Sequence, residues 1–216
     1  MEKKNFTFII TTFKSEDVID DCIKNLPTEC KKIVVENSSN IKFKSHLEFK
    51  YKNLECFIME QNLGYGKANN FGVKKSTTEY VFIINPDVIL TSEKFDEIIS
   101  NLNNITFSIA APIIKDINVN FGKKKILQVD SVRGYAMIIK REVALAVPFD
   151  ENIFLYLEDI DFCKRAKSKN EKILLVNSEI KHLGGLSHGN REDFEMEKSR
   201  SWHWMWSSFY YYKKHY

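Results

Sequence analysis

Tyr80-Val81-Phe82-Ile83-Ile84 runs straight into Asn85-Pro86-Asp87. Five consecutive β-branched and aromatic residues, with no polar alternation, read as a strand buried on both faces. Proline has no N–H to give to a ladder, so Pro86 ends the strand and Asp87 is delivered at its carboxyl edge. In open α/β sheets that edge is where ligands bind. A carboxylate there, with an asparagine beside it and no adjacent cation, suits a hard divalent ion such as Mg²⁺ or Mn²⁺. The same triplet also reads as a plain turn that Asp87 caps. Its surroundings must decide.

Upstream, the pattern is β-α-β. Phe6 to Ile10 is an expected strand, and Ser15 an expected N-cap with Glu16 and Asp17 at the positive dipole end of a helix. Ile33 to Glu36 predicts a second strand running into the turn residues Asn37-Ser38-Ser39-Asn40. A short helix is expected before Asn53 and a third strand over Leu54 to Met59. Asn62-Leu63-Gly64-Tyr65-Gly66-Lys67-Ala68-Asn69-Asn70 then leads into a helix reaching about Ser76. Its glycines permit close backbone approach, the helix start offers N–H groups, and Lys67 adds a mobile cation. With Asn69 and Asn70 also polar, the loop predicts a phosphate site, although its spacing matches neither the P-loop nor the dinucleotide fingerprint. The alternative is a glycine-rich turn feeding a surface helix.

Downstream, Ser92-Glu93 starts a helix that buries Phe95, Ile98, Ile99 and Leu102. A strand is expected from Thr106 to Ala111, stopped by Pro112, and a loop or edge hairpin from Lys115 to Gln128. Arg133 to Lys140 reads as a second continuous apolar strand, and Arg141-Glu142 as the start of a short helix ending before Pro148. Glu158, Asp159 and Asp161 fall in the first turn of a helix, where acids favour the dipole. Phe154, Leu155 and Tyr156 before them form a partly apolar wall, a setting that can hold a carboxylate as a base. A late strand over Lys172 to Val176 precedes His182-Leu183-Gly184-Gly185-Leu186-Ser187, loop chemistry able to touch a metal or an anion. The aromatic stretch Trp202 to Tyr216, basic at its tip, suits a membrane interface, its own domain or a second subunit alike.

With 216 residues and a net charge of +3, the chain is one large domain, or one with an appendage. Its Lys and Asp/Glu are interleaved, which argues against nucleic-acid binding. Cys22, Cys30, Cys56 and Cys163 form no C-x-x-C pair and read as buried thiols in a reducing compartment. The apolar segment ending at Thr11-Thr12 is too short for a signal-peptide core, and no run approaches a membrane span. A cytoplasmic protein is expected, with peripheral contact at the inner face of the cell membrane, or dimerisation, left open to the carboxyl-terminal segment.

Taken in order, Glu-Asn-Ser, Asn-x-Gly-Tyr-Gly-x-x-Asn-Asn, Asn-Pro-Asp, Arg-Gly-x-x-x-x-x-Lys-Arg-Glu, Phe-Leu-Tyr-x-Glu-Asp-x-Asp-x-Cys-x-Arg and His-x-Gly-Gly-x-Ser resemble one family. The chain looks like an inverting nucleotide-sugar glycosyltransferase of GT-A fold, family 2, in its rhamnosyltransferase-like branch, over roughly residues 5 to 190. The resemblance implies an α/β fold: a GT-A, Rossmann-like, mixed and mainly parallel sheet flanked by helices. It implies a catalytic domain over residues 1–190 and a carboxyl-terminal segment over 191–216. Thr11, Thr12 and Glu36 would face the nucleoside, and Asn62, Gly64 and Lys67 would lie near the diphosphate, with Asn85 and Arg133 also on the donor. Asp87 would bind Mg²⁺ or Mn²⁺ with His182 nearby, and Asp159, preceded by Glu158, would be the general base. The donor would be a dTDP- or UDP-sugar and the acceptor a glycan or lipid-linked glycan of surface polysaccharide. A nucleotide-sugar-binding protein without catalysis, or a nucleotidyltransferase, would share the sheet. Intact Asp87 and Glu158-Asp159 disfavour the first, and a first strand without a Gly-rich, Lys/Arg-bearing turn disfavours the second. Departures from the family pattern are Glu36 where Asp is usual and Asn85 where the metal motif has its first acid.

Overall fold

The computed structural model describes residues 1–114, 119–183 and 194–216. In chain order its elements are β1 (Phe6–Thr12), α1 (Ile19–Asn25), β2 (Lys31–Glu36), α2 (Ile41–Lys50), β3 (Leu54–Ile58), α3 (Tyr65–Lys75), β4 (Tyr80–Ile84) and β5 (Val88–Ile89). They continue with α4 (Ser92–Leu102), β6 (Ile109–Ile114), β7 (Ile126–Gln128), β8 (Ala136–Lys140), α5 (Arg141–Ala146), α6 (Glu158–Ser168), β9 (Ile173–His182) and α7 (Phe194–His215). The sheet order is β3-β2-β1-β4-β8-β6-β9-β5, with β7 also on β9. The first four strands are parallel, β8 is antiparallel to both its neighbours, and β6 and β9 are parallel again. This is the mixed, mainly parallel sheet expected.

The opening stretch shows why its apolar run has no polar alternation. Tyr80, Phe82 and Ile84 point into one core with Phe6, Phe8, α1, α2 and α4; Val81 and Ile83 point into another with Ile9, Met137, α3, α5 and α6. Both faces of β4 are therefore covered, the setting in which parallel strands are apolar throughout. Phe8 and Phe82 stack at 5.1 Å across the β1–β4 ladder, a contact contributing about 1 kcal/mol beyond area burial. All four cysteines are free and buried in these layers.

Four expectations need correction. Ser15 is not an N-cap: its Oγ accepts the Phe13 amide at 3.1 Å, its carbonyl takes the Val18 and Ile19 amides, and α1 begins only at Ile19. Pro112 does not stop β6. The β6–β9 register shifts between Pro112 and Ile113, and that irregularity accommodates a residue with no donor. β9 runs on past Val176 to His182, so this histidine ends a strand and does not sit in a loop; Gly184, Gly185 and Ser187 lie outside the described residues. β8 begins at Ala136, leaving Arg133-Gly134-Tyr135 as a connecting segment.

Candidate active site

The carboxyl ends of β1, β2 and β4, the loop before α3, the segment before β8, the start of α6 and one face of α7 surround a cavity of about 400 Å³. The loop before α3 is shaped by Gly64, whose φ of +78° favours glycine and whose Cβ would lie 2.4 Å from the Phe154 carbonyl oxygen. That close approach lets Tyr65 N–H donate to Phe154 O at 2.9 Å, docking the 149–157 segment on α3. Asn70 completes the clamp, donating to Phe149 O and accepting from Phe149 N, both at 2.9 Å.

The Tyr65 hydroxyl sits 2.8 Å from Asn85 Oδ1 and 2.7 Å from the Gly134 carbonyl. One half-buried tyrosine thus ties the Asn-Pro-Asp turn to the segment before β8. Burial, reinforced by Glu158 and Asp159, pushes its pKa far up and keeps it a neutral donor.

On one side of the cavity His182 Nε2 lies 3.3 Å from Asp87 Oδ1, and the imidazole stacks on Tyr135 at 5.0 Å. Asp87 is fully buried, while Asn85, Pro86 and His182 line the cavity. Two cis ligands of one ion at about 2.1 Å stand roughly 3 Å apart, so this carboxylate and imidazole fit a shared divalent cation. Among the described residues no cluster of three or more His, Cys, Asp or Glu forms a complete cage. The remaining ligands would come from substrate oxygens and water.

On the other side, α6 opens with Glu158 and Asp159 lining the cavity. Just before it, Tyr156 and Leu157 adopt φ of +69° and +66°, strained values for large side chains that cost on the order of 1–3 kcal/mol each. The strain is held in place: Ser207 Oγ of α7 donates to Leu155 O at 2.7 Å, and Trp204 packs edge-on against Tyr156. Asp159 Oδ2 accepts the Gly134 amide and Oδ1 the Ile160 amide, both at 2.8 Å. Burial raises both carboxyl pKa values, Glu158 to about 8, with Asp159 adding to that rise. Glu158 Oε2 has no hydrogen-bond partner among the described residues, whereas two amides and Arg133 favour the Asp159 anion. Asp159 therefore ionises first, beside a Glu158 that stays neutral near pH 7.

Of the residues named from sequence, Thr11, Thr12, Asn62, Gly64, Asn85, Arg133, Glu158, Asp159 and His182 line this cavity. Glu36 does not. Its Oε1 accepts from Ser38 N–H and Ser38 Oγ, its Oε2 from Asn40 N–H, and its carboxylate is spent on the turn after β2. Asn37, from that turn, lines the cavity instead. Lys67 also points elsewhere, 3.5 Å from Glu151. The expected anion site loses further members: Asn69 accepts from Thr11 Oγ1 at 3.0 Å and donates to Tyr65 O, and Gly64 N–H donates to Asn62 Oδ1. Their polarity serves the loop's own geometry.

Sequence reading missed Tyr65 and the α7 contribution of Met196, Ser199, Arg200 and His203. His203 stacks on Phe154 at 4.2 Å. Farther along, Lys214 reaches Asp150 at 2.6 Å and Asp161 at 2.7 Å, and His215 reaches Asp161 at 2.7 Å. One face of the carboxyl-terminal segment thus packs on its own domain. Among the described residues no helix is long and apolar enough to cross a membrane.

A model of glycosyl transferase family 2 matches residues 7–156, from β1 to the strained turn before α6. The chain belongs to glycosyl transferase family 2. Among curated relatives of this family 2 chain, the low-salt glycan biosynthesis hexosyltransferase Agl10 of Haloferax volcanii is 28% identical over 78% of the chain and 64% of that protein. The poly-beta-1,6-N-acetyl-D-glucosamine synthase of Staphylococcus aureus is 26% identical over 67% of the chain and 37% of that protein. The chain thus spans under two thirds of either relative. Its fold is that of S. aureus TarS 1-349 in complex with UDP-GlcNAc, with a TM-score of 0.69 at 17% identity over 89% of this chain and 60% of the other. The mannosyltransferase PcManGT of Pyrobaculum calidifontis, in complex with GDP-Man and Mn2+, superposes with a TM-score of 0.63 at 13% identity over 83% and 56%.

Proposed function

We propose that this family 2 chain is an inverting, metal-dependent glycosyltransferase. It would move a hexose from a nucleoside-diphosphate sugar to a glycan or lipid-linked acceptor. The observation that carries the proposal is one cavity lined by a buried carboxylate pair, Glu158 and Asp159, and by His182, with Asp87 buried behind the lining 3.3 Å from the imidazole. Inverting transfer needs those two poles, a base for the acceptor hydroxyl and positive charge for the departing diphosphate.

Asp159, ionised first, takes the acceptor hydroxyl proton as that oxygen bonds to the anomeric carbon. The bond from that carbon to the diphosphate oxygen breaks on the opposite face, and the electron pair leaves with nucleoside diphosphate. Gly134 N–H and Ile160 N–H hold the carboxylate in place. Glu158, neutral, keeps a second negative charge away from the incoming hydroxyl. Asp87 and His182 would hold Mg²⁺ or Mn²⁺, whose charge stabilises the diphosphate. Thr11, Thr12 and Asn37 form the nucleoside end, and exposed Arg133 is available to a phosphate oxygen. Residues 1–190 make up the donor-binding unit, and the segment 191–216 adds Arg200 and His203 on the acceptor side.

The motif resemblance favours dTDP-rhamnose and the TarS complex a UDP-sugar. Thermal unfolding with Mn²⁺ and a panel of dTDP-, UDP- and GDP-sugars tests the donor. At about a hundred times its Kd, the true donor stabilises by roughly 2.7 kcal/mol, raising Tm by about 5–10 °C. Acceptor addition should then release nucleoside diphosphate. A flat panel, or pyrophosphate release from a sugar phosphate and a nucleoside triphosphate, would overturn the proposal.

A further inference from the structure

α7 carries two opposed faces. His203, Ser207 and Tyr211 turn inward, the last two buried. Opposite them run Trp202, Met205, Phe209, Tyr212 and Tyr216, with exposures of 58%, 58%, 59%, 60% and 87%. Their spacing is 3-4-3-4, the 3.5-residue average of a helix-pairing seam. Five large side chains, each more than half exposed, present on the order of 500 Å² of apolar surface, near the upper end for a monomer. Two such stripes together reach on the order of 1,000 Å², enough for a specific interface.

Charge on the same helix narrows the occupant. Glu195 and Glu197 lie in its first turn and Lys213 in its last, while Lys214 and His215 are held inward by Asp150 and Asp161. An antiparallel copy sets acidic first turn against basic last turn at both ends, as two-fold symmetry requires. A parallel copy would set like charges together at the two ends. A shallow groove along Phe194, Ser201, Trp202 and Met205 gives the partner's distal aromatics a seat.

We propose that this outer face of α7 is a homodimer interface, two copies pairing antiparallel along Trp202, Met205, Phe209 and Tyr212. The pairing is independent of the sugar chemistry proposed for the cavity. Because the inner face of the same helix lines that cavity, the dimer also braces the wall that Arg200 and His203 provide.

Sedimentation equilibrium of the full chain tests it. The expected result is twice the mass of one chain at micromolar concentration, and one chain for the double variant Met205→Glu, Phe209→Glu. Both positions are exposed, so that variant should keep the wild-type Tm in its monomeric state. Lys213→Glu alone should weaken dimerisation about tenfold, since symmetry repeats each contact twice. Adding Glu195→Lys should restore it, although the pair of reversals opposes the dipole of the helix itself. A monomeric wild type, or a dimer indifferent to both stripe and charge variants, would overturn the proposal. So would a wild type monomeric in solution whose stripe is needed only for cosedimentation with phosphatidylcholine–phosphatidylglycerol vesicles.

Discussion

Asp159 Oδ2 accepts the Gly134 backbone amide at 2.8 Å, and the same glycine presents its carbonyl to Tyr65 Oη at 2.7 Å. The position of the proposed base therefore depends on a residue with no side chain. A Cβ at Gly134 would stand 3.2 Å from Asp159 Cβ and 3.5 Å from Oδ2, tight enough to move the carboxylate by a few tenths of an ångström. Gly134→Ala is expected to lower kcat by roughly ten- to a hundredfold, as displaced catalytic groups do, with donor affinity nearly unchanged. Steady-state kinetics beside donor calorimetry checks this.

Glu158 makes stability depend on pH in a defined direction. Its folded pKa, about 8, lies above the ordinary 4.5, so between those values the folded chain binds a proton that the unfolded chain has released. Stability must then fall as pH rises through that window, by at most about 1.4 kcal/mol per pH unit. Glu158→Gln removes the titrating group. Denaturant unfolding from pH 5 to 8 should show the variant gaining on wild type as pH rises, and the difference levelling off above pH 8.

Asp161 works the other way. It is fully buried; burial pushes its pKa up, but hydrogen bonds from Lys214, Arg165 and His215 together win and hold it below 3.8. Its contribution is full above the unfolded value and fades as pH falls through the lower folded one. Asp161→Asn leaves Lys214 and Arg165 facing a neutral amide, and breaking a buried pair of this kind costs about 3–5 kcal/mol. Thermal unfolding should record the loss at pH 7, and trypsin should cut faster after Lys213 and Lys214 as the end of α7 detaches.

The parts of this fold that sequence revealed are those whose burial is uniform or strictly periodic. Tyr80 to Ile84 and the apolar residues of β8 announce strands because both faces are covered. Glu158 and Asp159 were legible because acids beside an apolar wall are chemically conspicuous. The misreadings have local causes. The outer half of β9 alternates exposed Asn177, Glu179 and Lys181 with buried Ser178 and Ile180, and the polar Ser178 hides the period of two. Lys67, Asn69 and Asn70 have the composition of an anion site, yet helical geometry turns the lysine to Glu151 and the asparagines inward to Thr11, Tyr65 and Phe149. The inward face of α7 follows 3.6-residue spacing from Met196 through Arg200, His203 and Ser207 to Tyr211. Aromatic residues on the outer face mask it.

The most direct test of the account is Asp159→Asn. The amide keeps the shape of the carboxylate and loses its basicity. Donor binding in the presence of Mn²⁺, measured by calorimetry, is expected to stay within about threefold of wild type, while acceptor-dependent release of nucleoside diphosphate falls by about 10²–10⁴-fold. Near-wild-type release from that variant would contradict the central claim that Asp159 is the base of this site.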